Sequence, residues 1–304
     1  MNKASSFIRW ASHLGLAGIM LFVLAGVILS QDKEEKAEKA VKAEKMDKAY
    51  KAEYKEKHKE FCSNNWSNGD KISTSDLREM TIPATGSLAV DGGRNGGVAV
   101  KGENRSDVAI RACVQAWGVS DEAARAIAAS IRIGTSGVVK ADGPEEGWSV
   151  SYEARVPNNT NLKLTAHNGG ISISAVDGNL EFETMNGGVS LMNVAGDVRG
   201  RTTNGGVTVS LSGNTWKGNG LDVSTTNGGV NLNVPESFAA NIEASTVNGG
   251  FKSDIPALNV TTEDNKGGWA NRTRQVNTAI NGGGAPIKLT TKNGGVRIGS
   301  SEKY

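Results

Sequence analysis

Side chains able to do chemistry are sparse in this chain of 304 residues. The three histidines are His13, His58 and His167. Only His167 lies beyond residue 60, so the body of the chain cannot assemble a multi-histidine metal site. A nucleophilic triad would have to use that one imidazole as its base. It stands directly before Asn168, at a place where neighbouring repeats carry Met185, Thr203 and Thr226, and a position indifferent to residue type reads as a solvent-facing turn. Hydrolysis of glycosides needs two carboxylates converging on one face, or a carboxylate with a catalytic cation. Cys62 and Cys113 are the only cysteines. In an exported chain such a pair favours one disulfide, with two separate thiols as the alternative. Trp216, Trp269, Arg272 and Arg274 fall in two stretches, 211–220 and 252–277, that interrupt a repeat. Exposed tryptophan beside arginine suits a recognition surface; the competing reading folds both indoles back over the edge of the fold.

The element that must position all of these is a repeat built on glycine. Of 39 glycines, 36 lie within residues 61–304, without the G-X-Y period of collagen. Asn-Gly-Gly occurs at Asn95, Asn168, Asn186, Asn204, Asn227, Asn248, Asn281 and Asn293, with separations of 18, 18, 23, 21, 33 and 12 from Asn168 onward. An 18-residue period loosened by insertions is the mark of a solenoid. A second glycine ten residues after the asparagine, at Gly178 and Gly196, divides each coil into two strands. Alternation sends Ile171, Val189, Val207 and Val230 into one interior column, and Ile173, Leu191, Val209 and Leu232 into the next. Leu180 stacks on Val198, and Phe182 falls over Gly200, a mismatch of size. Facing outward, Glu181 meets Arg199 and Glu183 meets Arg201.

Thr184, Thr202, Thr225, Thr246 and Thr291 each stand two residues before a triplet. One threonine column at a turn lacks the flat double array of an ice-binding face, so the column reads as structural. The stacked asparagines Asn168, Asn186, Asn204, Asn227, Asn248, Asn281 and Asn293 form a turn ladder in which each side chain is expected to bond the backbone of the next coil, and their glycines are expected to supply positive φ. The carboxylates Asp177, Glu181, Glu183, Asp197, Asp222 and Glu243 share no column, and the turns lack the repeated aspartates of calcium-binding solenoids. No catalytic residue, metal site or cofactor is therefore assigned.

Three segments precede the coils. Residues 1–30 carry Lys3, Arg9 and an uncharged run from Leu14 to Leu29, and form a hydrophobic helix that is a signal peptide or a membrane anchor. Residues 31–60 hold ten lysines against nine acids and neither glycine nor proline, a charged helical spacer or weak coiled coil. Residues 61–84 make a pre-domain segment. Since the chain carries +2 in all, the first two segments contribute +2 and +1 and the remainder −1. A near-neutral body has no electrostatic footprint for nucleic acid. Ser120, Asp121 and Glu122 open an amphipathic helix to about Ile131, which packs on the solenoid or caps its end.

The Asn-Gly-Gly coils, the helical interruption SDEAARAIAASIRI (120–133), and the runs SYEARVPNNTNLKLTAHNGG (151–170) and NVPESFAANIEASTVNGG (233–250) together resemble the bacterial putative-adhesin family, a β-strand-repeat domain of unknown function. The resemblance covers residues 85–300. It implies an all-β fold, a single-chain parallel β-helix (β-solenoid), behind an export signal or anchor, with no established catalytic residues to carry over. The expectation is a non-catalytic cell-envelope or surface module, an adhesin or interaction unit. It would be membrane-anchored, periplasmic or on the cell surface, and would engage a cell-surface or glycan ligand. Two other readings stand beside it: an envelope scaffold or stress-response component that self-associates as a homo-oligomer, and a carbohydrate-active β-helix enzyme. The membrane is a partner only if the N-terminal segment is retained.

Overall fold

A computed structural model describes residues 61–62, 71–258, 261–264 and 272–300. The hydrophobic segment 1–30 and the spacer 31–60 lie outside the described residues, and among those described no helix is long and apolar enough to cross a membrane. Contacts divide the chain into Met1–Phe61 and Cys62–Tyr304, and the second unit carries the fold.

Segment 61–84 supplies β1 (Ile72–Pro83), followed by a first coil of β2 (Ser87–Asp91) and β3 (Val98–Glu103). A detour runs through β4 (Asp107–Gly118), α1 (Asp121–Ser130) and β5 (Arg132–Gly134) to a coil of β6 (Val138–Asp142) and β7 (Trp148–Pro157). Next come the coils β8 (Asn161–Ala166) with β9 (Ile171–Ser174) and β10 (Asp177–Thr184) with β11 (Val189–Met192). These lead to β12 (Ala195–Asn204) with β13 (Val207–Ser210), then β14 (Gly220–Asn227) with β15 (Val230–Val234). The chain continues through β16 (Ala240–Thr246), β17 (Phe251–Ser253), β18 (Thr261–Asp264), β19 (Arg272–Ile280), β20 (Pro286–Asn293) and β21 (Val296–Ser300).

First strands build one sheet, in the order β18-β19-β16-β20-β14-β12-β10-β8-β2-β6-β5, and second strands the other, in the order β1-β4-β7-β3-β9-β11-β13-β15-β21-β17. Stacked coils pair in parallel, whereas β1 on β4, β4 on β7, β5 on β6, and β19 on both β16 and β18 are antiparallel. The sheets are thus mixed, which corrects the expectation of a wholly parallel helix. Antiparallel strands finish both edges of the first sheet and the β1 edge of the second, covering edges that would otherwise stay open, while the second sheet ends at β17, paired in parallel on one side only.

Val189 registers with Ile171 and Val207, and Val207 with Val230; Leu191, Ile173, Val209 and Leu232 align in the same way. All eight are buried, as a two-residue period requires when one face is core. The Phe182 ring occupies the space over Gly200, where a Cβ would come within 2.3 Å of it. Large and absent side chains are therefore complementary, and the mismatch is packing. Outside, Arg201 reaches Glu183 at 2.8 Å, but Arg199 turns to Asp197 of its own strand at 3.3 Å although Glu181 lies opposite in register.

Two coils stand out of sequence order. β2/β3 lies between β6/β7 and β8/β9, and β20/β21 lies between β14/β15 and β16/β17. The outward charges match the second displacement. Read across β8, β10, β12, β14, β20 and β16, one column runs Lys163, Glu181, Arg199, Asp222, Lys288, Glu243, alternating in sign at every step. Stacked in sequence order, Asp222 would face Glu243; the inserted strand puts Lys288 between them, 3.6 Å from Asp222. Exposed cross-strand pairs contribute only about 0.2–1 kcal/mol each, but their signs discriminate between registers.

At the triplets the asparagines form a ladder, but they bond one another's side chains and not the backbone of the next coil as expected, because the stacked amides carry donor and acceptor in register. Each side-chain amide donates to the carbonyl oxygen of the next: Asn248 to Asn293, Asn293 to Asn227, then Asn204, Asn186, Asn168 and finally Asn95, at 2.7–2.9 Å. Asn281 is not part of it. Its amide bonds the carbonyls of Glu236 and Phe238, and its turn alone runs through positive φ, at Asn281, Gly282 and Gly283. In the ladder triplets the first glycine is demanded by close approach: a Cβ on Gly187 would lie 2.1 Å from the Gly169 oxygen. The expected positive φ is therefore replaced by backbone contact between coils. The threonines are buried, and Thr184, Thr202, Thr225, Thr291 and Thr246 donate to Gly169, Gly187, Gly205, Gly228 and Gly294.

Ser120 caps α1, accepting from the Ala123 N–H at 3.2 Å. Arg78 of β1 donates to the carbonyls of Ile131 and Ala128 at its other end, satisfying groups that a helix terminus leaves open. The helix packs on β4 and β1.

Candidate functional site

Trp216, in the first inserted stretch, does not lie on the expected recognition edge. Trp216 is buried at 8% exposure, and its indole N–H donates to the Gly196 carbonyl at 3.0 Å. Its loop stacks like a coil: the Gly196 N–H donates to the Lys217 carbonyl, and the Ala239 N–H to that of Asn214. A loop able to continue the ladder gains more from these bonds than from display in solvent, so Trp216 is corrected from a contact residue to a core one. Trp269 lies outside the described residues. Arg272 begins β19. Arg274 is half-buried and donates to the Gly249 carbonyl. That carbonyl belongs to the last coil, where no further threonine follows, so Arg274 finishes the threonine column. Cys62 and Cys113 are joined, with Cα atoms 5.3 Å apart, fastening the chain ahead of β1 to β4. Among the described residues no group of three His, Cys, Asp or Glu is placed to hold a metal ion.

The other end of the asparagine ladder opens into a cavity of about 310 Å³. Asn95 accepts from Asn168, while its own amide N–H groups donate to no described residue. In a chain of amides each bond polarises the next, so the terminal donor is strengthened. Three pieces of chain enclose the space: the turn Asp91–Asn95, the turn Gly143–Gly147, and Trp117 with the start of β7. The end coil β6/β7 carries Gly-Pro-Glu-Glu-Gly where other coils carry Asn-Gly-Gly, and the longer turn leaves room beside Asn95. Gly147 has φ +91°, and its carbonyl accepts from the Trp117 N–H at 2.9 Å. Trp148 is held by its indole N–H on the Pro144 carbonyl at 2.6 Å.

Tyr152 forms the floor. It registers with Val98 in the interior column and is 1% exposed, yet its hydroxyl has no hydrogen-bond partner. Burial, and then the charge of Asp91, push its pKa well above the ordinary phenol range, so the group is a neutral hydroxyl, able to donate and accept. Asp91 is half-buried, with Oδ1 accepting from the Gly93 N–H at 2.9 Å. Glu145, Glu146 and Arg94 stand exposed on the rim. None of these residues stands out in the sequence. The available signal is Asn95 itself, a triplet 73 residues ahead of the next.

A profile of the Toastrack DUF4097 family matches residues 40–299, which spans the whole stack of coils. The chain belongs to the Toastrack family. Among solved structures, this Toastrack chain is similar to a putative cell adhesion protein from Clostridium sporogenes, at 15% identity and a TM-score of 0.41, covering 75% of this chain and 100% of that one. It is also similar to a putative adhesin from Bacteroides fragilis, at 13% identity and a TM-score of 0.31, covering 75% and 97%. No curated protein matches the Toastrack chain.

Proposed function

We propose that the Toastrack unit is a non-catalytic interaction module of the bacterial envelope or surface, and that its contact site is the cavity at the Asn95 end of the stack. The supporting observation is the open amide of Asn95 beside an unpartnered, buried Tyr152 hydroxyl, between Trp117 and Trp148. Buried polar groups normally have partners, so an unpaired hydroxyl at a cavity wall marks a place that a ligand completes. Elsewhere the outer sheet face is occupied by the alternating charge column, and the turns are filled by the amide and threonine ladders. Retention of the full chain on isolated bacterial envelopes tests the reading. Arg94→Ala combined with Glu146→Ala, both exposed on the rim, is expected to reduce retention while the circular dichroism stays unchanged. Equal retention by the variant would refute the location.

Two other readings are separable from this one. Self-association through the solenoid end draws on β17, whose three residues pair on one side only; concentration-dependent sedimentation of the full chain tests it. A carbohydrate-active enzyme draws on Asp91, Glu145 and Glu146 around one cavity. The two glutamates are exposed, whereas a general acid works from desolvated surroundings. Release of reducing ends from envelope polysaccharide would establish the enzyme and overturn the binding module.

A further inference from the structure

We propose that the Asn95 cavity binds a neutral saccharide of one or two rings, an assignment that rests on the cavity being the contact site. Three features of the wall select this ligand class. The first is the mixture of donors and acceptors. Asn95 Nδ2 and the Arg94 guanidinium donate, the carboxylates of Asp91, Glu145 and Glu146 accept, and the Tyr152 hydroxyl does both. A sugar hydroxyl also donates and accepts, so neighbouring hydroxyls of one ring satisfy both kinds of wall group together. An organic cation would use the acceptors and leave Arg94 opposed to it.

The second feature is charge. Three carboxylates against one arginine give the wall a formal −2, which repels uronic acids, phosphates and other anions. The third is shape. Trp117 and Trp148 both line the cavity and supply apolar rings on which the C–H side of a pyranose can stack; the Trp148 indole is fixed on the Pro144 carbonyl, and the Trp117 backbone N–H on that of Gly147. The volume of about 310 Å³ is at the small end of ligand pockets, which limits the enclosed part to one or two rings. The Tyr152 hydroxyl sets the depth of entry. It is buried and has no partner, so it recovers a hydrogen bond when a small adjustment of the wall brings a ligand hydroxyl to it.

The test uses the full chain in detergent, titrated with glucose, galactose, mannose, N-acetylglucosamine, cellobiose, maltose and lactose. Glucuronate, inorganic phosphate and choline chloride are the charged probes. Calorimetry and tryptophan fluorescence are read together, and envelope retention is measured on the same preparations. At least one neutral saccharide is expected to saturate and to perturb tryptophan emission. Tyr152→Phe, which keeps the ring and removes only the hydroxyl, is expected to weaken it about five- to tenfold. Arg94→Ala, a substitution outside the core, gives a second reading that does not depend on packing. Saturation by choline or by an anion alone overturns the saccharide and leaves the cavity as the contact site. Failure of every probe, with envelope retention still lost in Arg94→Ala, does the same. Saccharide binding unchanged in both variants places the sugar elsewhere and overturns the proposal.

Discussion

Replacing Gly187 by alanine isolates the tightest contact in the stack. The added Cβ would stand 2.1 Å from the Gly169 oxygen and 2.5 Å from its carbon. A carbon and an oxygen in contact need about 3.3 Å, so two coils spaced about 4.8 Å apart must separate locally by about 1 Å. That movement acts on bonds that are already near their optimum: Thr184 Oγ1 to the Gly169 carbonyl at 2.8 Å, Asn186 Nδ2 to Asn168 Oδ1 at 2.7 Å, and the Asn186 N–H to the His167 carbonyl at 2.7 Å. Stretched by 1 Å they cease to be hydrogen bonds, each at a net loss of about 1 kcal/mol, in addition to overpacking of about 1–3 kcal/mol. The expected loss is about 4–6 kcal/mol, or roughly 8–24 °C in Tm for a unit of this size. Gly188→Ala is the control, since its Cβ would lie 3.6 Å from the Gly206 oxygen, an ordinary contact. It is expected to stay within about 0.5 kcal/mol of the parent, because alanine also restricts the unfolded chain. Urea and thermal unfolding followed by circular dichroism read both. Equal losses at the two positions would refute close approach as the reason for the first glycine.

Lys288→Glu places like charges on three adjacent coils, and should lower the urea midpoint by the equivalent of about 1 kcal/mol in low salt, an effect largely abolished by about 1 M NaCl. Trp216→Ala should cost about 3–5 kcal/mol in denaturant unfolding; a variant that unfolds like the parent would return Trp216 to the surface. Reduction of the Cys62–Cys113 bridge, which spans a sequence separation of 51, should cost about 4 kcal/mol by loop closure, read as a fall in Tm with dithiothreitol. The Glu122 carboxyl, bonded to its own N–H and to Ser120 at the start of α1, lies below its ordinary value of 4.5. Its contribution is therefore present above that pH and lost as the pH falls through the depressed pKa, so Glu122→Gln should flatten the acid limb of stability between pH 5 and 3.

What was legible in the sequence is what repeats. Alternation settles which residues face inward, and the 18-residue spacing brings Val189 to Ile171 and Val207, since a one-residue slip would turn the whole set to the other face. Features made by a single coil were not legible. The triplet at Asn281 carries its own signal, with Ala279 in place of a column threonine and Gly284 in place of an inward apolar residue, but its contact with Glu236 and Phe238 was not legible. Trp216 reads as exposed because it sits in an insertion, and the insertion turns out to stack. The cavity was invisible for a related reason. Tyr152 occupies an ordinary core position, and its hydroxyl is exceptional only because a longer turn in a coil that follows Asn95 in sequence closes over it in space.

The out-of-order coils change what the end of the chain means for assembly. In a simple array, losing a terminal repeat shortens the stack and leaves the remainder intact. Here residues 286–300 are synthesised after residues 240–253, yet lie beneath them. A nascent chain that has reached residue 280 can pair β16 with β19 but cannot dock β16 and β17 on the stack, since the strands that belong between them and Asp222 have not emerged. The like charge of Glu243 discourages premature docking of β16 on β14. Completion is therefore all-or-none at this end. A chain cut at residue 285 loses an interior layer and strands the outer one, and its exposed edges mark it for proteolysis. Vectorial emergence, N-terminus first, thus finishes with a keystone, and only a chain read through to that keystone is sealed.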